Sequence, residues 1–191
     1  MLPEAPPPTG PGRTVRLRDG TAVLLRPIRP GDAGTLIALY DRLSPESAYQ
    51  RFFAVMRRLP PDWARILANV DQDRRAAIVA VGPDGELVGV ARYGWDAGSD
   101  DAEIALVVQD AWQGRGLGTI LLTALLAHAE GRGITRFRAY VLADNHRMLR
   151  LIGELGLVAE RSLDQGVVTL RFTRRPDPES RRAGPATDGG R

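Results

Sequence analysis

A chain of 191 residues with 43% hydrophobic content can bury one core of ordinary size, since single-core domains cluster at roughly 100 to 200 residues. It holds no cysteine and two isolated histidines, which sets aside disulfide scaffolds, thiolate metal sites, cysteine nucleophiles and histidine-rich metal centres, so no metal is expected. All 26 Lys-or-Arg side chains are Arg; they are scattered among 23 acids for a net charge of +3, a mixed solvated surface rather than a nucleic-acid patch. No apolar run approaches the roughly 18 to 20 residues of a membrane span, and no signal-peptide pattern opens the chain, so it reads as cytoplasmic with no membrane partner.

In chain order, residues 1–13, with proline at positions 3, 6, 7, 8 and 11, read as a disordered lead. Residues 14–173 read as the folded domain and residues 174–191 as a disordered tail. Within the domain, Arg18-Asp19-Gly20 is a turn before a strand over Ala22 to Arg29. Pro30-Gly31-Asp32 then caps a helix from Ala33 to Leu43. Ser44-Pro45-Glu46 starts a second helix carrying Tyr49, Phe52 and Phe53, and Pro61-Asp62 a third that runs to about Asn69. Ala76 to Val81 and Leu87 to Trp95 flank Gly82-Pro83-Asp84-Gly85 as a hairpin, and Ala102 to Gln109 follows as a strand. Leu117, Leu121, Leu125 and His128 keep helical spacing up to Gly131-Arg132-Gly133. Thr135 to Leu142 reads as a strand, Asn145 to Leu155 as a helix and Gly166 to Thr173 as the last strand. The order is that of an α+β fold, mostly antiparallel with one parallel crossover. Both histidines are expected on helix surfaces.

Between the strand ending at Gln109 and the long helix lies Gln113-Gly114-Arg115-Gly116-Leu117-Gly118. Three glycines in five residues at a strand-to-helix junction fit a loop that brings backbone N–H groups to a phosphate at a helix N-terminus, or a plain tight turn. The dinucleotide fingerprint fails for want of an acidic residue about 20 positions on, and the P-loop fails for want of Lys.

The pattern Q-x-x-G-x-G resembles that of the GNAT superfamily of acetyl-CoA-dependent N-acetyltransferases, and the resemblance runs from Leu24-Leu25-Arg26-Pro27-Ile28-Arg29 through Gly156-Leu157. It implies a GNAT-type mixed, mostly antiparallel sheet flanked by helices, with acetyl-CoA as co-substrate. It further implies that Gln113, Gly114, Arg115, Gly116, Leu117, Gly118 and Thr119 wrap the pyrophosphate. Leu106, Val107 and Val108, in the strand over Ile104 to Val108, would hold the pantetheine arm through their backbone, and Asn145 would contact the same arm. Leu43-Ser44-Pro45-Glu46-Ser47, Arg51-Phe52-Phe53, Gly89-Val90-Ala91-Arg92 and Trp112-Gln113-Gly114 are similar to segments of bacterial protein lysine acetyltransferases that modify acetyl-CoA synthetase and related acyl-CoA-forming enzymes. That implies a protein partner with a reactive lysine. Arg51 then reads as either a salt-bridge partner or an acceptor contact.

Attack of lysine on a thioester needs the neutral amine, which at pH 7 costs roughly 4.6 kcal/mol from a reference pKa near 10.4. A carboxylate near the thioester lowers that cost. The resemblance assigns this base to Glu103, which by itself also reads as an exposed strand-end charge; Asp96, Asp100 and Asp101 read as loop charges, with Asp101 the second choice for base. Many GNAT enzymes protonate the departing thiolate with a Tyr at the position held here by Ile152, so that acid is absent. Two other readings stay open: a small-molecule amine acetyltransferase, since acceptor specificity lives in loops, and a non-catalytic acetyl-CoA-binding sensor.

Overall fold

The computed structural model describes residues 12–55, 58–96 and 98–174. Most of the lead and tail expected at 1–13 and 174–191 lies outside them. Eight strands form a single sheet: β1 (Arg13–Arg16), β2 (Ala22–Pro27), β3 (Arg75–Val81), β4 (Leu87–Gly94), β5 (Ala102–Val108), β6 (Arg136–Leu142), β7 (Gly156–Asp164) and β8 (Val167–Arg174). Their spatial order is β1-β2-β3-β4-β5-β6-β8-β7, and every neighbouring pair is antiparallel except β5 and β6. The parallel crossover between these two is α4 (Leu117–Glu130).

The strongest helical spacing in the sequence becomes the central packing element. Leu117, Leu121, Leu122, Leu125 and Leu126 of α4 are at most 1% exposed and pack on one face of the sheet with Ile78, Ala91, Ile104 and Phe137. Each such leucine contributes roughly 1.5 to 3 kcal/mol by leaving water. Beside it lies α5 (His146–Leu155), whose Ile152 is fully buried. The opposite face is covered by α1 (Ala33–Asp41), α2 (Pro45–Phe52) and α3 (Pro61–Ala68), with Leu36, Leu39 and Ala64 against Val79, Val90 and Val107.

The α+β class and mixed sheet are as the pattern implied, with two strands more. β1 offers one apolar residue in Arg-Thr-Val-Arg and lies at the sheet edge. β7 lies at the other edge and is exposed from Val158 to Asp164, so neither carries the buried alternation that marks a strand. Asp32 does not cap α1 with its side chain. Its carboxylate accepts instead from Arg26 at 2.6 and 2.8 Å and from the Arg29 N–H at 2.8 Å, joining β2 to the turn before α1.

His128, expected on a helix surface, is 1% exposed because it faces the loop between α3 and β3. Its Nε2 lies 3.1 Å from the Gln72 carbonyl and its Nδ1 3.2 Å from an Arg132 nitrogen. His146 is exposed at the start of α5. No helix among the described residues is long and apolar enough to cross a membrane.

Candidate active site

The parallel pair β5 and β6 is joined over two rungs only, Ala102 with Phe137 and Glu103 with Arg138; beyond Glu103 the strands part. On its other side β5 stays paired to β4 throughout, from Gly94 with Glu103 to Gly89 with Val108. The Gln109 N–H donates to Val88 O at 3.0 Å, and antiparallel alternation therefore turns the backbone of Val107 and Ala105 toward β4. Leu106 and Val108 turn theirs toward the opening. The Val108 carbonyl is taken by Gln113 Nε2 at 3.0 Å. The wedge is thus lined by the N–H and C=O of Leu106 and the N–H of Val108, a strip of backbone donors and acceptors suited to an amide-bearing chain.

At the wide end of the wedge lies the glycine loop. Gly114 has φ 75° and Gly116 φ 88°, left-handed values that a side chain resists. They turn the chain directly into α4, whose first N–H groups receive no side-chain cap among the described residues. Such uncapped donors carry positive partial charge and suit a phosphate. Sequence reasoning missed that the turn between β1 and β2 closes over this loop. The Arg18 N–H donates to Arg115 O at 3.1 Å, and Arg18 Nε lies 3.3 Å from the position a Cβ on Gly116 would occupy. Asp19 pairs with Arg115 at 3.1 Å, and Arg115 also sits 5.1 Å above the Trp112 ring. The Arg18 guanidinium is exposed and meets no carboxylate among the described residues, which leaves it available to an anion in the loop.

Gln113 serves as a brace. Its Nε2 also donates to Ser47 Oγ at 3.1 Å, and its Oε1 accepts from Arg147 of α5. Asp110 extends the brace by accepting from the Ser44 N–H, Ser44 Oγ and Ser47 Oγ at 2.9, 2.6 and 2.8 Å. Burial pushes the Asp110 carboxyl up, but these serine hydrogen bonds outweigh it and hold it below the ordinary aspartate value. The helix α2, capped by Ser44 accepting from Ser47 N at 3.1 Å, is thereby tied to the glycine loop. Asn145 caps α5 by accepting from Met148 N at 3.0 Å.

Glu103 stands on the last rung before the strands part, its side chain on the face opposite α4 and 53% exposed, with Arg138 Nη2 at 3.9 Å. Asp101 is placed otherwise than a loop charge or alternative base: it is 5% exposed and paired with Arg136 and Arg171 at 3.1 Å each, a structural ion pair across β5, β6 and β8. Ile152 is fully buried. Tyr93 is buried on the α4 side, donates to Asp73 O at 2.6 Å, and is pushed up to about 12 by burial. Tyr140 is 40% exposed on the Glu103 face, under the Arg138 guanidinium at 5.4 Å. An opened sheet with free backbone groups, a glycine loop at a helix N-terminus and a carboxylate at the apex can seat a long thioester and accept a proton where its acyl end arrives.

Residues 37–157 match the Acetyltransferase (GNAT) family model. Acetyltransferase Pat of Mycolicibacterium smegmatis is 35% identical over 156 residues, which cover 81% of this chain and 46% of that protein; this chain therefore spans about half of it. Acetyltransferase PA5475 of Pseudomonas aeruginosa is 33% identical over 81% of this chain and 84% of its own length. The crystal structure of the GNAT domain of S. lividans PAT superposes with a TM-score of 0.78 at 37% identity, over 85% of this chain and 96% of that one.

Proposed function

Because the chain belongs to the GNAT acetyltransferase family, we propose that it transfers the acetyl group of acetyl-CoA to a lysine of a partner protein in the cytoplasm, with an acyl-CoA synthetase as the partner class. The observation that carries this reading is the parting of β5 from β6 at Glu103. Leu106 and Val108 offer the pantetheine arm their backbone groups, and Asn145, at the start of α5 just after β6, would contact the same arm. The loop from Gln113 to Thr119 and the start of α4 offer N–H groups to the pyrophosphate. Val107, expected to hold the arm through its backbone as well, has that backbone turned to β4 and supports the strip from the core side instead.

The lysine amine, once neutral, attacks the thioester carbonyl; its proton passes to the Glu103 carboxylate, directly or through one water. Collapse of the tetrahedral intermediate breaks the C–S bond and expels CoA as thiolate. With Ile152 in place of a phenol, the thiolate leaves unassisted and takes its proton from water. For a thiol of pKa about 8.5 that costs only about 1 to 2 kcal/mol near pH 7.5. The exposure of Glu103 beside the open side of the sheet suits a macromolecular acceptor, which cannot enter a closed pocket.

Incubation with acetyl-CoA and an acyl-CoA synthetase, followed by mass spectrometry, should locate acetyl on a synthetase lysine. Glu103→Gln should lower turnover by roughly 10² to 10⁴ while acetyl-CoA affinity is kept. Acetylation of free amines and of no protein would replace this reading with a small-amine transferase; binding of acetyl-CoA without transfer to any acceptor would replace it with a sensor.

A further inference from the structure

On the Glu103 face of the sheet, Arg92 rises from the middle of β4 beneath α1 and α3. Among the described residues its Nη2 makes one long hydrogen bond, 3.4 Å to Leu67 O near the end of α3, and its buried Nε meets no partner. The hydroxyl of Tyr40 on α1 is also buried and meets no partner among the described residues. Arg51, at the end of α2, joins the group: its guanidinium lies 5.0 Å over the Phe52 ring, and that ring lies 5.1 Å from Tyr40. Among the described residues neither Arg51 nor Arg92 meets a carboxylate, whereas Arg26, Arg136, Arg138 and Arg171 all do. Burial, and then the like charge of Arg51, depress the Arg92 guanidinium to about 10.

A guanidinium drawn out of water without a counter-charge is costly, and buried donors without acceptors are rare enough that each calls for a partner. The place of this pair decides what the partner is. Arg92 pairs with Ala105 and Gly94 with Glu103, so Arg92 and Glu103 are diagonal neighbours on one face, about 7 to 8 Å apart at Cα. In an extended peptide, residues two apart are separated by about 7 Å and point the same way.

We infer that Arg92, Arg51 and the Tyr40 hydroxyl form an anion subsite of the acceptor site, which takes a carboxylate carried two residues from the lysine that meets Glu103. The inference rests on the proposed lysine transfer at Glu103 and adds the acceptor's chemistry: a lysine in an extended segment with an acidic neighbour. A free amino acid carries the same carboxylate, and the test separates the two sources.

Capped heptapeptides with one lysine and a glutamate two positions before or after it are compared with glutamine counterparts, both for acetyl transfer and for affinity by calorimetry. The glutamate peptides should exceed the glutamine ones by about tenfold in kcat/KM, carried in KM, and by a similar factor in affinity. Arg92→Gln should reduce that ratio to below twofold, Arg92→Lys should restore part of it, and Arg51→Gln, on the more open side, should reduce it several-fold even if Arg92 variants fold poorly. Acetylation of free amino acids but not of their amides, lost in the same variants, would keep the subsite and assign its carboxylate to a small molecule. Equal affinity for the two peptides, or variants that weaken both alike, would overturn the subsite and leave Arg92 as a helix-end contact to Leu67. Clear preference in binding without any transfer would count against the acetyltransfer reading and not against the subsite.

Discussion

Arg18 shows how a single residue acquires meaning from its neighbours in space. In the chain it is one of 26 arginines, within a turn of ordinary type. In the fold its Nε stands 3.3 Å from the place of an absent Gly116 side chain, over the loop proposed to hold the pyrophosphate. Charge-assisted hydrogen bonds to an anion there are worth roughly a tenfold change in affinity. Arg18→Gln should weaken acetyl-CoA binding by about that factor in calorimetry, more at low salt than at high. Affinity for S-acetylpantetheine, which carries no phosphate, should be unchanged; equal weakening of both ligands would mean that Arg18 only packs the turn. The turn at Gly114 and Gly116 and the start of α5 at Asn145 were legible from the chain because local order carries them: two glycines before a helix, and a side-chain cap at the next one; the roles of Glu103 and Asn145 came only from the family resemblance. Arg18, Arg51 and Arg92 needed the fold, since their neighbours come from distant segments.

At the scale of elements, α4 was readable because one periodic run of leucines faces one sheet, and its only misjudged position was His128. Arginine has donors alone, so Arg132 obliges His128 Nδ1 to accept, and Nε2–H then donates to the Gln72 carbonyl. Burial first, and the Arg132 charge second, hold the imidazole below its ordinary pKa, the Gln72 carbonyl opposing them. Below about pH 6.5 the unfolded chain therefore binds a proton that the folded chain resists. The stabilisation is complete above that pH and is lost as pH falls toward the lower folded-state value. Urea denaturation midpoints should drop between pH 7 and pH 5, and His128→Gln should flatten that slope while lowering stability at pH 7. An unchanged slope in the variant would assign the pH dependence elsewhere. The edge strands β1 and β7 and the tie between α2 and the loop were not legible. Edge strands need no buried stripe, and the hydrogen bonds of Asp110 to Ser44 and Ser47 span 66 and 63 residues of sequence.

The whole molecule lacks lysine, so an enzyme proposed to acetylate lysines offers itself no side-chain amine. Arginine keeps its charge throughout the working pH range and is not a nucleophile by the same chemistry. Incubated alone with labelled acetyl-CoA, the protein should take up no stable label on any side chain, as read by mass spectrometry; with a lysine-bearing synthetase, label should appear on the partner. Side-chain label on the protein alone would show that other groups on this surface accept acetyl. The sequence by itself determined the lysine-free surface, the α4 packing face, the hairpin of β3 and β4 and the glycine loop, because composition, period and turn chemistry are local properties. Tertiary structure alone decided that β5 and β6 part at Glu103, that Asp101 is locked in ion pairs rather than free, and that Arg92 stands near Glu103 with no counter-charge among the described residues. Those outcomes depend on strand register and on which face each strand turns to its neighbour, and register is set by contacts between segments far apart in the chain.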